Sequence, residues 1–496
     1  MSKEDPASRL LLRRLIRNWV SLAGAVIGTG SFFAFLLLFA LDILSEHGNP
    51  YMGILAYVVA PSFLFFGVVL VLLGYWLHLR QERRAKADAP PVALTIDLSR
   101  PRDRKILGVF IAGSLVFLFM TAIGSYQTYQ YTESVQFCGR ACHVPMDPQF
   151  VTSQHSTHAR VDCVACHVGS GASAYLKTKI SGIRQLYHVT MGDFPRPIRA
   201  NPGKLRPARE TCEQCHWPEK FTGGFERIYR HYLSDEKNTP FSVRLLLKVG
   251  GSNPLHGPPD GIHWHVSPAN KVEFISTDEQ QLHIPWVRQT QANGKVTEYR
   301  NPDFKGDLSK YPVHTMDCID CHNRPSHKFL SPNDAVDLSI TSGRLDPSIP
   351  WVKQKVVAAL AAPYSTRDEA MQKITSALRA DYPDNPKVDG VIAEAKSIYN
   401  ANFFPEMKAD WRAYPDNVGH KIWEGCFRCH DGKHKAADGK TTIQGNDCNS
   451  CHLILAQGSD EDMNKLNAKG SPFIHIDSEY SDFSCAECHT GAAPKE

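Results

Sequence analysis

Two absences organise this sequence of 496 residues. No cysteine occurs before residue 138, although the chain has 14. Charge of either sign is missing from three long runs in the first quarter, residues 19–41, 51–77 and 106–125. Imbalance is scarce as well: 55 Lys and Arg against 51 Asp and Glu leave a formal net charge of +4. That balance lacks the concentrated basic footprint of a nucleic-acid binder, and no such partner is expected. With 21% charged and 10% aromatic residues, a disordered or collagen-like chain is excluded too. The mean hydropathy of −0.29 suggests an ordinary soluble protein. It is an average over unlike parts.

A bilayer core of about 30 Å takes roughly 20 apolar residues as a helix, so each uncharged run is long enough to span. No A-x-A site follows Leu41, which argues against a cleaved signal peptide. Arg13 and Arg14 read as topology charges before the first span. Residues 1–18 carry five Lys and Arg against two acidic residues, and residues 78–105 carry eight against four. The 42–50 connection has Asp42 and Glu46 and no Lys or Arg. Basic residues concentrate on the cytoplasmic side. The N-terminus and the 78–105 loop are therefore expected inside, with residues 126–496 delivered outside.

All fourteen cysteines fall into seven pairs, and a histidine follows the second cysteine every time. The pairs are Cys138/Cys142-His143, Cys163/Cys166-His167, Cys212/Cys215-His216, Cys318/Cys321-His322, Cys426/Cys429-His430, Cys448/Cys451-His452 and Cys485/Cys488-His489. Six are C-x-x-C-H; the first has one extra residue. This is the attachment signature of c-type haem: two thiols bond the two vinyl groups, and the adjacent imidazole lies under the iron. Disulfides do not need identical spacing or an obligatory histidine. Zinc sites give no reason for a histidine after each pair. Seven covalently bound haem c groups are expected, on the exported side.

The cysteine-free stretch 217–313 contains alternating segments, Lys271-Val-Glu-Phe-Ile and Gly294-Lys-Val-Thr-Glu-Tyr, that read as hairpin strands. A second cysteine-free stretch, 333–415, reads helical over 351–362 and 365–380, with proline breaks at 383–386. Electron-transfer haems are usually six-coordinate, so each iron calls for a second ligand. His158 lies five residues before Cys163, and His314 four before Cys318; His420, His434 and His475 flank the last three motifs. These five are the candidates by position. His256, His263, His265 and His283 lie in the strand-rich insert, and His263-Trp-His265 would put two imidazoles on one face of a strand. Met146, three residues after His143, is a candidate for the first haem, which leaves His143 or Met146 open there.

The order of a membrane helix at 106–125, Phe137-Cys138, Cys142-His143, Met146, His158, Cys163-Val-Ala-Cys166-His167, Cys212-Glu-Gln-Cys215-His216 and Cys318-Ile-Asp-Cys321-His322 resembles the NapC/NirT family of membrane-anchored tetrahaem quinol dehydrogenases. The longer seven-haem arrangement is similar to the ImcH-type inner-membrane cytochromes. The likeness covers about residues 106–220 and 313–330. It implies that menaquinol is oxidised at the outer face of a bacterial inner membrane and that electrons pass along a haem wire to periplasmic acceptors. It also implies Met146 for haem one, His314 for haem two, Lys177 or Lys179 for haem three and His158 for haem four. The extra residue in the first motif, the added membrane helices, the 217–313 insert and three further haems depart from the short members.

The expected fold is mainly α: an irregular multihaem cytochrome c with three N-terminal transmembrane helices and a small β-rich insert. Its parts are a cytoplasmic N-terminus (1–18), a transmembrane hairpin (19–77), a basic cytoplasmic loop (78–105), a third transmembrane helix (106–125), a four-haem domain (126–332), a helical linker region (333–415) and a three-haem domain (416–496). Haem one is attached close to the membrane, so the 138–147 segment, with Asp147, and the Lys177/Lys179 stretch are the quinol-site candidates. Expected partners are membrane lipid, the quinol pool and periplasmic multihaem cytochromes or a reductase; a homo-oligomer is compatible with the sequence. Two other readings compete: a terminal reductase of a small nitrogen oxide, which lacks support because no C-x-x-C-K motif occurs, and a passive haem relay fed by a partner protein.

Overall fold

The computed structural model describes residues 19–44, 59–84, 98–105, 107–109, 111–113, 127, 130–141, 143–168, 172–199, 206–251, 260–445, 448–476 and 488–491. Helix predominates, with two small antiparallel sheets. The chain separates into two compact units, residues 1–134 with 168–186, and 135–167 with 187–496.

In the first unit, α1 (Trp19–Leu44) packs on α2 (Ala60–Arg84). Glycines let them approach closely. A Cβ on Gly24 would come within 2.5 Å of the Gly67 carbonyl oxygen, and one on Gly67 within 2.6 Å of Gly28 N. Gly24-x-x-x-Gly28 is thus the small-residue spacing that suits helix contact in lipid, where packing rather than the hydrophobic effect drives association. Phe65, Leu72 and Trp76 of α2 face outward. Residues Ala60–Arg80, 21 in number with a mean hydropathy of 2.0, are long and apolar enough to cross a membrane, whereas the apolar stretch Trp19–Phe32 of α1 is shorter. Among the described residues one helix meets the requirement, against the three expected, and most of the 106–125 run lies outside them.

The second unit contains α3 (His143–Gln154), α5 (Pro332–Thr341), α6 (Val352–Ala361), α7 (Arg367–Asp381) and α8 (Val388–Asn402). Helix α4 (Ala172–Met191) contributes residues to both units. Helix starts are written in the sequence. The Ser331 side chain accepts from Asp334 N, with Pro332 at the first helical position of α5. Thr366 accepts from Glu369 N, and the Glu369 carboxylate accepts in return from Ser365 N. Ala370, Ile374 and Leu378, four residues apart on α7, are fully buried, as are Val352, Val356 and Val357 on α6. Burying a Val, Leu or Ile side chain contributes roughly 1.5–3 kcal/mol. Together with Tyr399, Phe403, Phe404 and Trp411 they form the largest apolar core. The segment expected as a helical linker region is therefore a packed centre, because each helix has an apolar stripe and all the stripes meet.

Strands β1 (Phe225–Tyr232), β2 (Pro240–Leu247), β3 (Lys271–Ile275), β4 (Trp286–Thr290), β5 (Val296–Arg300) and β6 (Val313–Thr315) come from the insert and its exit. Two more, β7 (Lys435–Ala436) and β8 (His452–Gly458), come from near the C-terminus. The sheets run β1-β2-β8 and β6-β3-β4-β5-β7. Both expected strand segments are strands, but the insert is not self-contained: each sheet borrows an edge from the last motifs.

Candidate haem centres

Five motifs each occupy a single tight turn. Cys163–His167, Cys318–Cys321 and Cys448–Cys451 are α-helical turns; Cys212–Gln214 and Gly425–Arg428 are 3-10 turns. His216 N donates to Cys212 O at 2.8 Å, and His322 N donates to Cys318 O at 2.8 Å. The first motif differs. Its extra residue falls in a π-helical turn, Phe137–Ala141, whose i→i+5 pattern takes one residue more than an α-turn. Glycine is required there: a Cβ on Gly139 would lie 2.1 Å from the Phe150 ring. No disulfide joins any described cysteine, and among the described residues no three His, Cys, Asp or Glu gather as a metal site. Burial pushes the Cys321 and Cys429 thiols up to about 12. Such slots disfavour a thiolate and suit an uncharged thioether.

Cys488 of the seventh motif is exposed, as are Cys166, Cys215 and Cys426, and its partner Cys485 lies outside the described residues. Backbone bonds hold the turn after it: Thr490 N donates to Cys488 O at 3.0 Å, and Gly491 O accepts from Asn333 N at 3.1 Å.

The central finding concerns the histidines. Each of the six motif histidines with a described side chain faces one histidine from outside the motifs. Ring centroids are 6.1 Å apart for His216 and His158, 6.2 Å for His167 and His327, and 6.4 Å for His322 and His263. They are 5.9 Å apart for His430 and His265, 6.3 Å for His452 and His420, and 6.1 Å for His489 and His475. An iron between two imidazoles, with bonds of about 2 Å, holds ring centroids roughly 6.3 Å apart. The gaps fit haem iron.

Tautomers agree. His158 Nδ1 donates to Pro325 O, His263 Nδ1 to Val249 O, His265 Nδ1 to Ile262 O, His327 Nδ1 to Gln149 O and His430 Nδ1 to Gln444 O, at 2.8–3.1 Å. A carbonyl oxygen only accepts, so in each ring Nδ1 carries the proton and Nε2 keeps its lone pair for a metal. Burial lowers the pKa of His167, His263, His265, His322, His420, His452 and His489, and holds His327 at about 4. In these eight rings the neutral, ligating form is favoured.

Neighbouring motifs are stitched together. The Cys138 and Cys163 side chains share a hydrogen bond. Ala208 N, just before the third motif, donates to Asp317 Oδ2, just before the fourth, at 3.0 Å. Arg428 of the fifth motif donates to Asp320 O of the fourth at 2.9 Å. His420, which faces the sixth motif, stacks on Phe427 of the fifth with centroids 4.4 Å apart. Past the seventh motif, Thr490 O accepts from Trp411 Nε1 at 2.9 Å, which ties it to the helical core.

The structure thus brings His158, His420 and His475 to motif histidines, with His158 at the third motif rather than the fourth. His314 and His434 stand elsewhere. His314 stacks on Phe274 at 5.5 Å within its sheet. His434 is fully buried with Nδ1 on Asp431 Oδ1 at 2.8 Å and Nε2 on Ile284 O at 2.7 Å, so neither nitrogen is available to a metal. His327 takes the place expected for His314 at the second motif; its signal was its position five residues after His322. His263 and His265 lie on a 3-10 turn, Ile262–Val266, not on a strand, and at three residues per turn they diverge to different motifs. Met146 is half-buried in α3, and Asp147 pairs with Arg367 at 2.8 Å. Lys177 is exposed on α4; the side chains of Lys179, His143 and Cys448, and residues Cys142 and Cys485, lie outside the described residues.

The family described as "NapC/NirT cytochrome c family, N-terminal region" matches residues 100–206. The chain is 39% identical over 494 residues to the cytochrome c-type protein ImcH of Geobacter sulfurreducens, covering 96% of each. It is 30% identical over 143 residues to the cytochrome c-type protein NrfH of Wolinella succinogenes, covering 28% of this chain and 78% of that one. No solved structure matches. With haem-attachment turns and facing imidazoles along its length, the chain belongs to the ImcH-like, NapC/NirT-type family of membrane-anchored multihaem c-type cytochromes and carries covalently bound haem c for electron transfer.

Proposed function

We propose that the protein carries seven haems and conducts electrons from menaquinol, at the outer face of the inner membrane, to periplasmic acceptors such as multihaem cytochromes or a reductase. The observation that carries this reading is the set of six facing histidine pairs. An iron with imidazoles on both sides has no open position for nitrite or hydroxylamine, which favours conduction over terminal reduction. Each bound haem would take one electron at a time as its iron cycles between Fe(III) and Fe(II). The chain's own residues supply the rest. The cysteines fix each porphyrin, and the Nδ1–H bonds to backbone carbonyls orient the imidazoles and raise their basicity. Contacts between motifs one and two, three and four, four and five, and five and six hold those neighbours together.

Quinol oxidation releases two electrons and two protons, so a proton acceptor must stand at the entry. Asp147, beside Met146 at the first motif, is the proposed acceptor, held by Arg367; Lys177 and Lys179 remain candidates for contact with quinol. The charge asymmetry of the loops supports three spans with a cytoplasmic N-terminus and a periplasmic haem domain. The test is haem reduction in proteoliposomes supplied with a menaquinol analogue and no partner protein. Reduction to the level reached with dithionite is expected. Haems that dithionite reduces but the quinol analogue does not would overturn the quinol reading and leave a relay fed by a partner.

A further inference from the structure

Lys177 and Lys179, expected as haem or quinol ligands, sit on a helix whose surface suggests another role. At about 100° per residue, positions 176, 180, 183, 187 and 191 of α4 fall within an arc of about 80°. They are Leu176, Ile180, Ile183, Tyr187 and Met191, all apolar or aromatic. Ile180, Tyr187 and Met191 are 59%, 60% and 63% exposed, so the three members of the stripe with described side chains are not buried against the protein. Arg184, Lys177 and His188 follow along one edge of it, and Lys179 stands on the other. Ser181 and Gln185 occupy the remote polar side. A soluble helix of 20 residues buries such a stripe; this one leaves Ile180, Tyr187 and Met191 in the open.

We propose that α4 lies in the plane of a lipid–water interface, its apolar stripe in the acyl boundary and its basic edges against anionic headgroups. An exposed apolar arc with Lys and Arg shoulders is the signature of an interfacial helix, and long basic side chains reach back to the phosphates. Charge selects lipid over a second protein here. Lys177, Lys179 and Arg184 have no acidic residue beside them anywhere on the helix, whose sequence contains neither Asp nor Glu. The same chain also supplies a helix long and apolar enough to cross a membrane, Ala60–Arg80. The proposal rests on the membrane placement in the proposed function, not on quinol oxidation.

All native cysteines belong to haem motifs, so single new ones can be labelled with a nitroxide. Ile180→Cys, Ser181→Cys, Gln185→Cys and Tyr187→Cys in the full holoprotein, reconstituted in phosphatidylglycerol/phosphatidylethanolamine vesicles, give the test. Each variant is first checked for the parent haem spectrum. Labels at 180 and 187 are expected to collide several-fold more with oxygen than with a water-soluble nickel chelate, and those at 181 and 185 the reverse. Equal access of the chelate to all four positions would overturn the proposal, as would labels at 180 and 187 closed to both reagents. In neutral phosphatidylcholine vesicles the label at 187 is expected to sit shallower; an unchanged depth would overturn the headgroup role. Quinol-driven haem reduction, read in the same vesicles, reports separately on the proposed function.

Discussion

His263 and His265 are two residues apart on one 3-10 turn, yet they face imidazoles of different motifs, His322 at 6.4 Å and His430 at 5.9 Å. A turn of five residues therefore clamps the last centre of the N-terminal group to the first of the C-terminal group. Arg428, donating to Asp320 O at 2.9 Å, ties the same two motifs from another direction. This junction joins the family-like portion of the chain to its C-terminal motifs.

Changing one ligand should change one centre. His265→Met is expected to raise the potential of the fifth-motif haem by on the order of 0.1 V, a modest part of the roughly 0.8 V that axial ligands span. A spectroelectrochemical titration with near-infrared dichroism would resolve the new Met/His centre. His314→Gln should leave every ligand set as it was. Loss of a bis-His signal in that variant would refute the pairing of His327 with the second motif.

Ring orientation gives a second signature. The His263/His322 and His420/His452 planes are nearly parallel, at 7° and 18°, whereas His265/His430 planes cross at 80°. Low-spin ferric haems with parallel ligands give rhombic electron paramagnetic resonance spectra, and crossed ligands give a strongly anisotropic one. The His265→Met variant should lose a signal of the crossed class while the rhombic signals persist.

Asp147→Asn separates chemistry from packing. The Asp147–Arg367 pair is more than a third exposed on both sides, so its loss should cost no more than about 1 kcal/mol. Quinol-driven reduction is expected to slow by roughly tenfold or more, as for loss of a general base, with dithionite reduction unchanged. Equal quinol rates in the variant and the parent would remove Asp147 from the entry site.

The helical core holds a buried ion pair, Lys353 to Asp337 at 2.6 Å, with side chains only 6% and 5% exposed. Asp337 also takes hydrogen bonds from His231 Nδ1 and Tyr232 N. Asp337→Ala strands an ammonium away from water and should destabilise the unit by about 3–5 kcal/mol in urea unfolding. The double variant Asp337→Leu with Lys353→Met should recover most of that loss.

Glu273 on β3 supplies a pH dependence. Arg288 at 2.8 Å and Lys271 at 2.7 Å hold its carboxyl below the usual glutamate value of 4.5. Below that value the unfolded chain takes up a proton that the folded one resists, so the stabilisation is full above about pH 4.5 and is lost as pH falls through the lowered folded value. Unfolding midpoints of Glu273→Gln against pH should show a shallower acid limb than those of the parent.

Local signals carried much of this into the sequence. The haem turns, the strands at Lys271–Ile275 and Val296–Arg300, and the helices at Val352–Ala361 and Arg367–Asp381 all rest on spacings within a few residues. Distal ligands do not. His263 and His322 are brought together by the path of the whole insert, and no period in the sequence encodes it. His434, adjacent to a motif, looks like a ligand until Asp431 and the Ile284 carbonyl are seen to occupy both nitrogens. Spacing also leaves thiol burial unstated: Cys429 and Cys488 hold the same place in their motifs, yet one thiol is pushed up to about 12 by burial and the other is exposed. The core at 333–415 was legible as helices but not as a centre, since that depends on which stripes meet.

The borrowed strands set an order of assembly. β2 pairs with β8 along Ser242–Leu247, and β5 ends on β7 through Tyr299 and Arg300, so both sheets wait for chain made well over a hundred residues later. Until residue 458 has emerged, β2 is an open edge able to pair with another chain. The residue that begins β8 is His452, the imidazole facing His420. Closing the first sheet and completing the sixth centre are therefore one event in the life of the chain, and a polypeptide that stops short of it lacks both.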